Sequence, residues 1–190
     1  MLNRSIALLF FLFISCQSSS KYDSWVKDEM ANGKYIDSIQ FGLKLGDTKK
    51  DFFTKAWELN NQGKVTHGPN NDFIAYEIEN MPDGKRMNHL FYGTFNDQDI
   101  MTGLDMRFYF LGWAPWNENL YSDSVLPIAM DFLMQWYPGN NFELIENDDL
   151  SDDFYVKIDG NRQIVIHKLD EKNVRAQLSD LRYKYPNLIK

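Results

Sequence analysis

The strongest pattern in the chain is an alternation of side chains over residues 104–110, within the predicted strand at 100–111. Its apolar members are Leu104, Met106, Phe108 and Phe110, and polar or amphipathic residues stand between them. A period of two residues is typical of a β-strand that buries one face. The chain is therefore expected to fold around a sheet with one packed face and one more open face.

Similar patterns predict further strands at residues 73–80, 87–95, 142–146, 153–158 and 162–169. The turns at 82–84 and 96–99 are short enough for hairpins, so the sheet should be antiparallel. The segment 174–181 alternates in its first half but also fits a helix, and the alternation favours the strand.

Two helices are predicted, one before each group of strands. The first begins at Asp47 and Thr48, where Asp51 completes a short capping box, and it ends at Gly63. Its helical spacing is expected to place Phe52, Phe53 and Trp57 on the core.

The second predicted helix begins at Asp123 and Ser124, with Pro127 expected in its first turn. Its apolar stripe consists of Ala129, Phe132, Leu133 and Trp136, and the sequence Tyr-Pro-Gly at 137–139 ends it. The chain order is thus a helix followed by strands, and then the same again.

A shift of 76 residues without gaps superimposes cap, helix-stop and turn residues of the two halves. Examples are Asp47 on Asp123 and Gly84 on Gly160. An old duplication would leave this pattern, because backbone geometry restricts the residues at such positions. The alternative is chance recurrence of Asp, Asn and Gly, which are common in turns.

The sequence therefore predicts an α+β fold, with an antiparallel sheet and helices packed on one face. Residues 35–190 would form this domain, with two tandem helix-plus-four-strand lobes at 35–112 and 122–190 and a connector at 112–121. The layout resembles the tandem lobes of β-lactamase-inhibitor-protein-like folds. The segment GLKLGDTKKDFF resembles the strand-to-helix junction of small outer-membrane-assembly lipoproteins. Both resemblances imply protein binding.

The amino terminus has the layout of an export signal. Arg4 precedes nine apolar residues at 6–14, about half of the roughly 20 needed to span a bilayer. Residues 13–16, Phe-Ile-Ser-Cys, resemble the lipobox of bacterial lipoproteins. That resemblance implies cleavage after Ser15, diacylglycerol on Cys16 and usually a further acyl chain such as palmitate. An ordinary secretory signal cut elsewhere is the alternative.

Residues 1–15 are thus expected to be a signal peptide, and residues 16–34 a lipidated polar tether. Cys16 is the only cysteine, so no disulfide can form within one molecule. Beyond residue 15 the chain has 19 basic and 27 acidic residues, a net charge of −8, which argues against nucleic-acid binding. Lipid on Cys16 would attach the protein to a membrane. Gln17 follows the cysteine where inner-membrane retention uses Asp, which favours the outer membrane.

No catalytic, metal or cofactor motif is recognisable. The three histidines, His67, His89 and His167, lack zinc spacing. His89 and His167 lie on predicted strands 78 residues apart, which allows equivalent places in two lobes, but the favoured interpretation is that both are ordinary strand or surface histidines. The acidic stretch at 146–153 lacks the spacing and glycine of a calcium loop, so a solvated turn is favoured.

The connector contains the large aromatic residues Trp113, Trp116 and Tyr121. They either bind a partner, for which flat amphipathic rings are suited, or fill a seam between the lobes. The leading hypothesis is a noncatalytic cell-envelope lipoprotein whose domain binds a protein or another envelope component. The alternative is an envelope hydrolase whose active site is scattered along the chain.

Overall fold

The computed structural model describes residues 21–69, 72–79, 81, 84–145 and 153–188. These contain four α-helices: α1 (Lys21–Ala31), α2 (Lys49–Asn61), α3 (Ser122–Trp136) and α4 (Leu181–Lys184). The strands are β1 (Thr66–His67), β2 (Ile74–Ile78), β3 (Met87–Phe95), β4 (Met101–Phe110), β5 (Glu143–Ile145), β6 (Phe154–Asp159), β7 (Arg162–Lys168) and β8 (Val174–Asp180). No helix in these ranges is long and apolar enough to cross a membrane.

All eight strands form one antiparallel sheet in the order β1-β2-β3-β4-β8-β7-β6-β5. The predicted α+β class with an antiparallel sheet is confirmed. The strand order is symmetric about the central pair β4–β8, and each half of the sheet follows one helix in the chain. The last strand, β8, alternates buried and partly exposed residues, as its sequence favoured.

The two halves do not keep the 76-residue register. A gapless shift places Met87 on Gln163. Met87 packs in the main core, whereas Gln163 lies beside Ile164 in β7 and so points to the opposite face. A shift of one residue moves a strand's side chains to the other face of the sheet. The strands of the two halves therefore superimpose only with a shift that differs from the 76 residues that align their turns.

Helix α3 packs on β4, β7 and β8 and buries Val125, Ala129 and Leu133. These residues share the main core with Phe108 of β4. The helix starts at Ser122, earlier than predicted, so Pro127 lies in its second turn rather than its first.

Helix α2 begins with the expected capping box, in which the Thr48 hydroxyl accepts from the Asp51 N–H. Only Phe52 and Leu59 of this helix are buried. Phe53 and Trp57 are 47% and 68% exposed, so the prediction that both lie in the core was wrong. Only a narrow apolar stripe of the helix packs against β3. Phe53 and Trp57 lie beside this stripe and face solvent.

Helix α1 occupies residues that the sequence placed in a polar tether. Its Val26 is buried with Val156 and Ile158 of β6, on the side of the sheet opposite α3. The Tyr22 hydroxyl donates to Gln163 at 2.7 Å, and Glu29 accepts from the Gly160 N–H at 2.9 Å. The helices therefore lie on both faces of the sheet, and the prediction that they pack on one face was wrong. The segment is mostly polar, but its few apolar residues are enough to hold α1 against β6.

Candidate functional site

The side of the sheet opposite α3 is the best candidate for a binding surface. Helix α1 covers this side over β6 and β7. The central strands beyond the helix carry polar and aromatic side chains, and we call this uncovered part the open sheet face. Its members on β3, β4 and β8 are Asn88, Leu90, Tyr92, Asp105, Arg107, Tyr109, Arg175 and Gln177. All except the buried Leu90 are partly exposed.

A charged cluster lies at the centre of this face, where β4 pairs with β8. The register places Arg107 directly opposite Arg175. Arg175 donates two hydrogen bonds to Asp105, at 2.9 and 3.0 Å, and these bonds raise the pKa of the Arg175 guanidinium. Like charges directly across two strands repel, so Asp105 offsets one of the two cations.

Arg107 is the remaining cation. Its guanidinium carbon lies 4.8 Å from the centroid of the Phe73 ring, a cation–π distance. Its Nε is buried and has no hydrogen-bond partner among the described residues. The centre of the open sheet face thus keeps an excess of positive charge, although the whole chain has a net charge of −7.

Two depressions lie along the row of Asp105, Arg107 and Tyr109 on β4, one lined by Tyr109 and the other by Asp105. The edge depression, beside β1 and β2, has a volume of about 840 Å³ and is lined in part by Thr66, Ala75, Glu77, Asn88 and Tyr109. The hairpin depression, beside the β3–β4 turn, has a volume of about 760 Å³. Its walls combine aromatic and charged groups: Phe53, Phe73, Tyr92, Phe95, Lys49, Asp72, Asp99 and Asp105.

Arg107 lies in the row between these depressions, because Asp105 is opposite Tyr92 and Tyr109 is opposite Asn88. Asn88 donates to the Tyr109 hydroxyl at 2.8 Å, and Lys172 lies 4.4 Å from the centroid of the Tyr109 ring. The surface therefore offers fixed hydrogen-bonding groups and flat rings over several strands, an arrangement suited to an extended partner.

The aromatic residues of the connector lie beyond the end of β4. The rings of Trp113 and Tyr121 stack with centroids 6.2 Å apart, and both residues are partly buried. The Tyr121 hydroxyl donates to the Pro115 carbonyl at 2.6 Å. Trp116 is 86% exposed, so it does not fill a seam between lobes. A partner-binding role for Trp113, Trp116 and Tyr121 stays a prediction.

The structure does not bring the histidines together. His89 is fully buried on the α3 side of the sheet, with ring centroids of Phe108 and Trp136 at 4.5 and 5.0 Å. Burial lowers the pKa of His89 to about 3, so the ring is neutral at pH 7.

His167 lies on the opposite face from His89, 4.7 Å from the Phe154 ring, and His67 is exposed on the edge strand β1. His89 and His167 therefore do not occupy equivalent places, because their side chains lie on opposite faces of the one sheet.

A buried ionic cluster near the β6–β7 turn had no clear signal in the sequence. Asp159 lies 2.9 Å from the Lys157 ammonium and 3.4 Å from the Arg162 guanidinium. These three side chains are at most 4% exposed. Asn140 donates its backbone N–H to Asp159 at 2.7 Å, which links the segment after α3 to the sheet. The cluster is enclosed by protein and fastens elements together, so it is a structural feature.

Several predicted sites lie outside the described residues. Ser15 and Cys16 are among these, as is most of the acidic stretch at 146–153. Within the ranges that the structure describes, no group of three or more His, Cys, Asp or Glu side chains is arranged to hold a metal ion.

Comparison with known proteins gives one distant structural match. The chain is similar to YjgB, a DUF4309 family protein from Bacillus subtilis, with 14% sequence identity and a TM-score of 0.33. The match covers 83% of this chain and 97% of the YjgB chain. No protein-family model matches the chain, and no curated protein matches it.

Proposed function

We propose that this protein is a lipid-anchored component of the bacterial cell envelope, on the outer membrane, whose α+β domain holds a protein or another envelope component against the open sheet face. The observation that carries the binding role is Arg107, a cation with a buried unpaired Nε. On β4 it stands between Tyr109, which lines the edge depression, and Asp105, which lines the hairpin depression. The anchoring role rests on the signal layout and on Cys16.

The dimensions of the surface favour an extended partner. Neighbouring strands lie about 4.8 Å apart, so β2, β3, β4 and β8 together span roughly 15 Å. Tyr92, Tyr109 and Arg107 are of the residue types that contribute most to protein interfaces, because each combines a large contact area with a polar group. A protein segment or a glycan chain could cross both depressions and accept hydrogen bonds from Arg107.

Photo-crosslinking tests the binding surface in intact cells. A photoreactive phenylalanine analogue in place of Tyr109 is expected to give a discrete adduct with the partner. The same analogue at Tyr183, a 45% exposed residue of α4, is the matched control and should give none. Adding Arg107→Ala should weaken the Tyr109 adduct about tenfold, as for a residue worth 1–2 kcal/mol at an interface.

The same experiment can contradict the binding role. Lys27→Ala, which removes an exposed cation from α1, should leave the Tyr109 adduct unchanged. Equal adducts from positions 109 and 183, or an Arg107→Ala effect no larger than that of Lys27→Ala, would assign the partner to another surface.

Replacing Cys16 with serine tests the anchor. We expect Cys16→Ser to remain unprocessed and to lose the lipid, because the thioether needs the cysteine sulfur. Stable attachment takes two or more acyl chains, each contributing about 0.8 kcal/mol per buried methylene. Mass spectrometry of the native protein should find acyl chains on an amino-terminal Cys16. An unmodified Cys16, or an amino terminus elsewhere, would refute the anchor.

A further inference from the structure

Trp116 stands out as the most exposed large apolar residue among those described, at 86%. The connector that carries it is fastened at both ends and braced inside. Leu111 donates its N–H to the Arg86 carbonyl at 2.9 Å, and Ser122 donates to the Glu171 carbonyl at 2.8 Å. The Tyr121 hydroxyl holds Pro115, the residue next to Trp116. A fixed loop thus presents the indole to the surroundings.

The connector lies at one end of the sheet, together with the β7–β8 turn. That end is defined by Phe108 of β4, which pairs with Val174 at the start of β8, and by the turn at 169–173. We call it the connector end. Leu169 in this turn is 41% exposed, and the turn is closed by hydrogen bonds from Lys172 and Asn173 to Asp170. A second apolar side chain is therefore presented at the same end.

The position of helix α1 along the sheet follows from the contacts at its two ends. Near the carboxyl end of α1, Glu29 accepts from the Gly160 N–H in the β6–β7 turn, at the opposite end of the sheet. At the amino end of α1, Lys21 pairs with Glu143, which lies opposite Val156 farther along β6. The amino end of α1 therefore lies midway along β6, nearer to the connector end than its carboxyl end is.

Covalent geometry limits how far the lipid can be from α1. Five Cα–Cα steps separate Cys16 from Lys21, and an extended chain spans at most about 3.6 Å per residue, or roughly 18 Å in total. A tether this short keeps the domain within about 18 Å of the lipid, and the amino end of α1 is the end of that helix nearer to the connector end.

The chemistry of the connector end suits a membrane interface. Indole is enriched at the level of lipid headgroups, because it has an apolar body and one N–H donor. Residues 84–86, 111–123 and 168–173 contain four basic and four acidic side chains, so this end is balanced, whereas the chain has a net charge of −7. Anionic lipid therefore meets no excess of negative charge from these segments.

We propose that Trp116 inserts into the bilayer interface as a second contact beside the lipid on Cys16, with Leu169 next to it, and thereby fixes the orientation of the domain. This inference rests on the proposed lipid anchor. The sheet then stands on its connector end, and the open sheet face is directed along the membrane toward envelope partners.

Fluorescence quenching tests this orientation. The mature lipidated protein is reconstituted in phosphatidylethanolamine–phosphatidylcholine vesicles with brominated acyl chains, which quench only indoles that enter the bilayer. We expect quenching and a blue shift, both lost in Trp116→Ala. Trp57→Ala is the matched control, because Trp57 is 68% exposed but belongs to α2, and it should keep the quenching.

Vesicle flotation separates failure of this inference from failure of the anchor. If the protein does not float with the vesicles, the lipid anchor itself is refuted, and the inference falls with it. The other case is that the lipidated protein floats but its indole fluorescence is not quenched, or that Trp116→Ala keeps the quenching. The anchor then stands, and Trp116 is not at the interface.

Discussion

Replacing Asp159 with alanine is expected to lower the free energy of unfolding by about 3–5 kcal/mol. The Asp159 carboxylate lies between the Lys157 ammonium at 2.9 Å and the Arg162 guanidinium at 3.4 Å, and all three groups are almost completely buried. Without it, two cations remain in a low-dielectric interior with no counterion. A domain of this size is typically stable by only 5–15 kcal/mol, so the variant should approach unfolding at room temperature.

Urea denaturation followed by circular dichroism measures this loss. Asp97→Ala, in the exposed β3–β4 turn, is the control and should change the unfolding free energy by less than about 0.5 kcal/mol. Adding Lys157→Met to Asp159→Ala should restore part of the stability, because one stranded cation becomes an apolar side chain. A loss below about 1 kcal/mol would show that the cluster contributes little. A larger loss with no recovery in the double variant would show that the stranded Lys157 cation is not its cause.

The hairpins of the sheet could be predicted from the sequence because their signals are local. Alternation and a short turn define β3 and β4, and β3 has the predicted bounds. The cap of α2 at Thr48 was recognisable for the same reason. The pairing of β4 with β8 is different, because it joins segments about 70 residues apart and depends on how both halves of the chain pack.

That long-range pairing also explains why the charged cluster of the open sheet face was missed. Asp105 and Arg107 were visible as polar members of a strand, but only the β4–β8 register brings Arg175 beside them. The aromatic connector was found because three large rings in a short loop are unusual in any sequence. Its exposure was not predictable, since burial depends on what packs around the loop.

Lys157 shows another limit of sequence patterns. An isolated lysine in a predicted strand is expected to face solvent, yet its side chain is fully buried on the α3 side of the sheet. The residues that compensate it, Asp159 and the Asn140 carbonyl, come from the same strand and from the segment after α3. Trp57 deviates in the opposite direction, because α2 packs along a narrow stripe and leaves this apolar residue in solvent.

His89 accounts for the second large effect, a loss of stability in acid. Burial among Phe91, Phe108 and Trp136 lowers the pKa of His89 to about 3, compared with 6.5 for an exposed histidine. Between these two values the unfolded chain binds a proton at this site and the folded chain does not. Stability is therefore fully present above pH 6.5 and falls as the pH drops toward 3.

The size of this effect follows from the difference between the two pKa values. At 1.36 kcal/mol per pH unit, His89 should lower the free energy of unfolding by about 3 kcal/mol between pH 7 and pH 4. Hydrogen bonds from Thr48 and Arg86 lower the pKa values of Asp51 and Glu77. The protein therefore also loses stability when acid protonates these two carboxylates. Their contribution is common to every variant, so comparing variants isolates the histidine.

Urea denaturation of the unmodified protein and of His89→Phe at pH 7, 5.5 and 4 makes that comparison. Phenylalanine keeps an aromatic ring among the surrounding rings and cannot take up a proton, so the stability of His89→Phe should fall by about 3 kcal/mol less over this range. The control is His167→Phe, a histidine replaced in the same way at a partly exposed position on the other face. If His89→Phe and the unmodified protein lose equal stability between pH 7 and pH 4, then His89 takes up its proton without unfolding the chain, and the core around it must open more readily than its packing indicates.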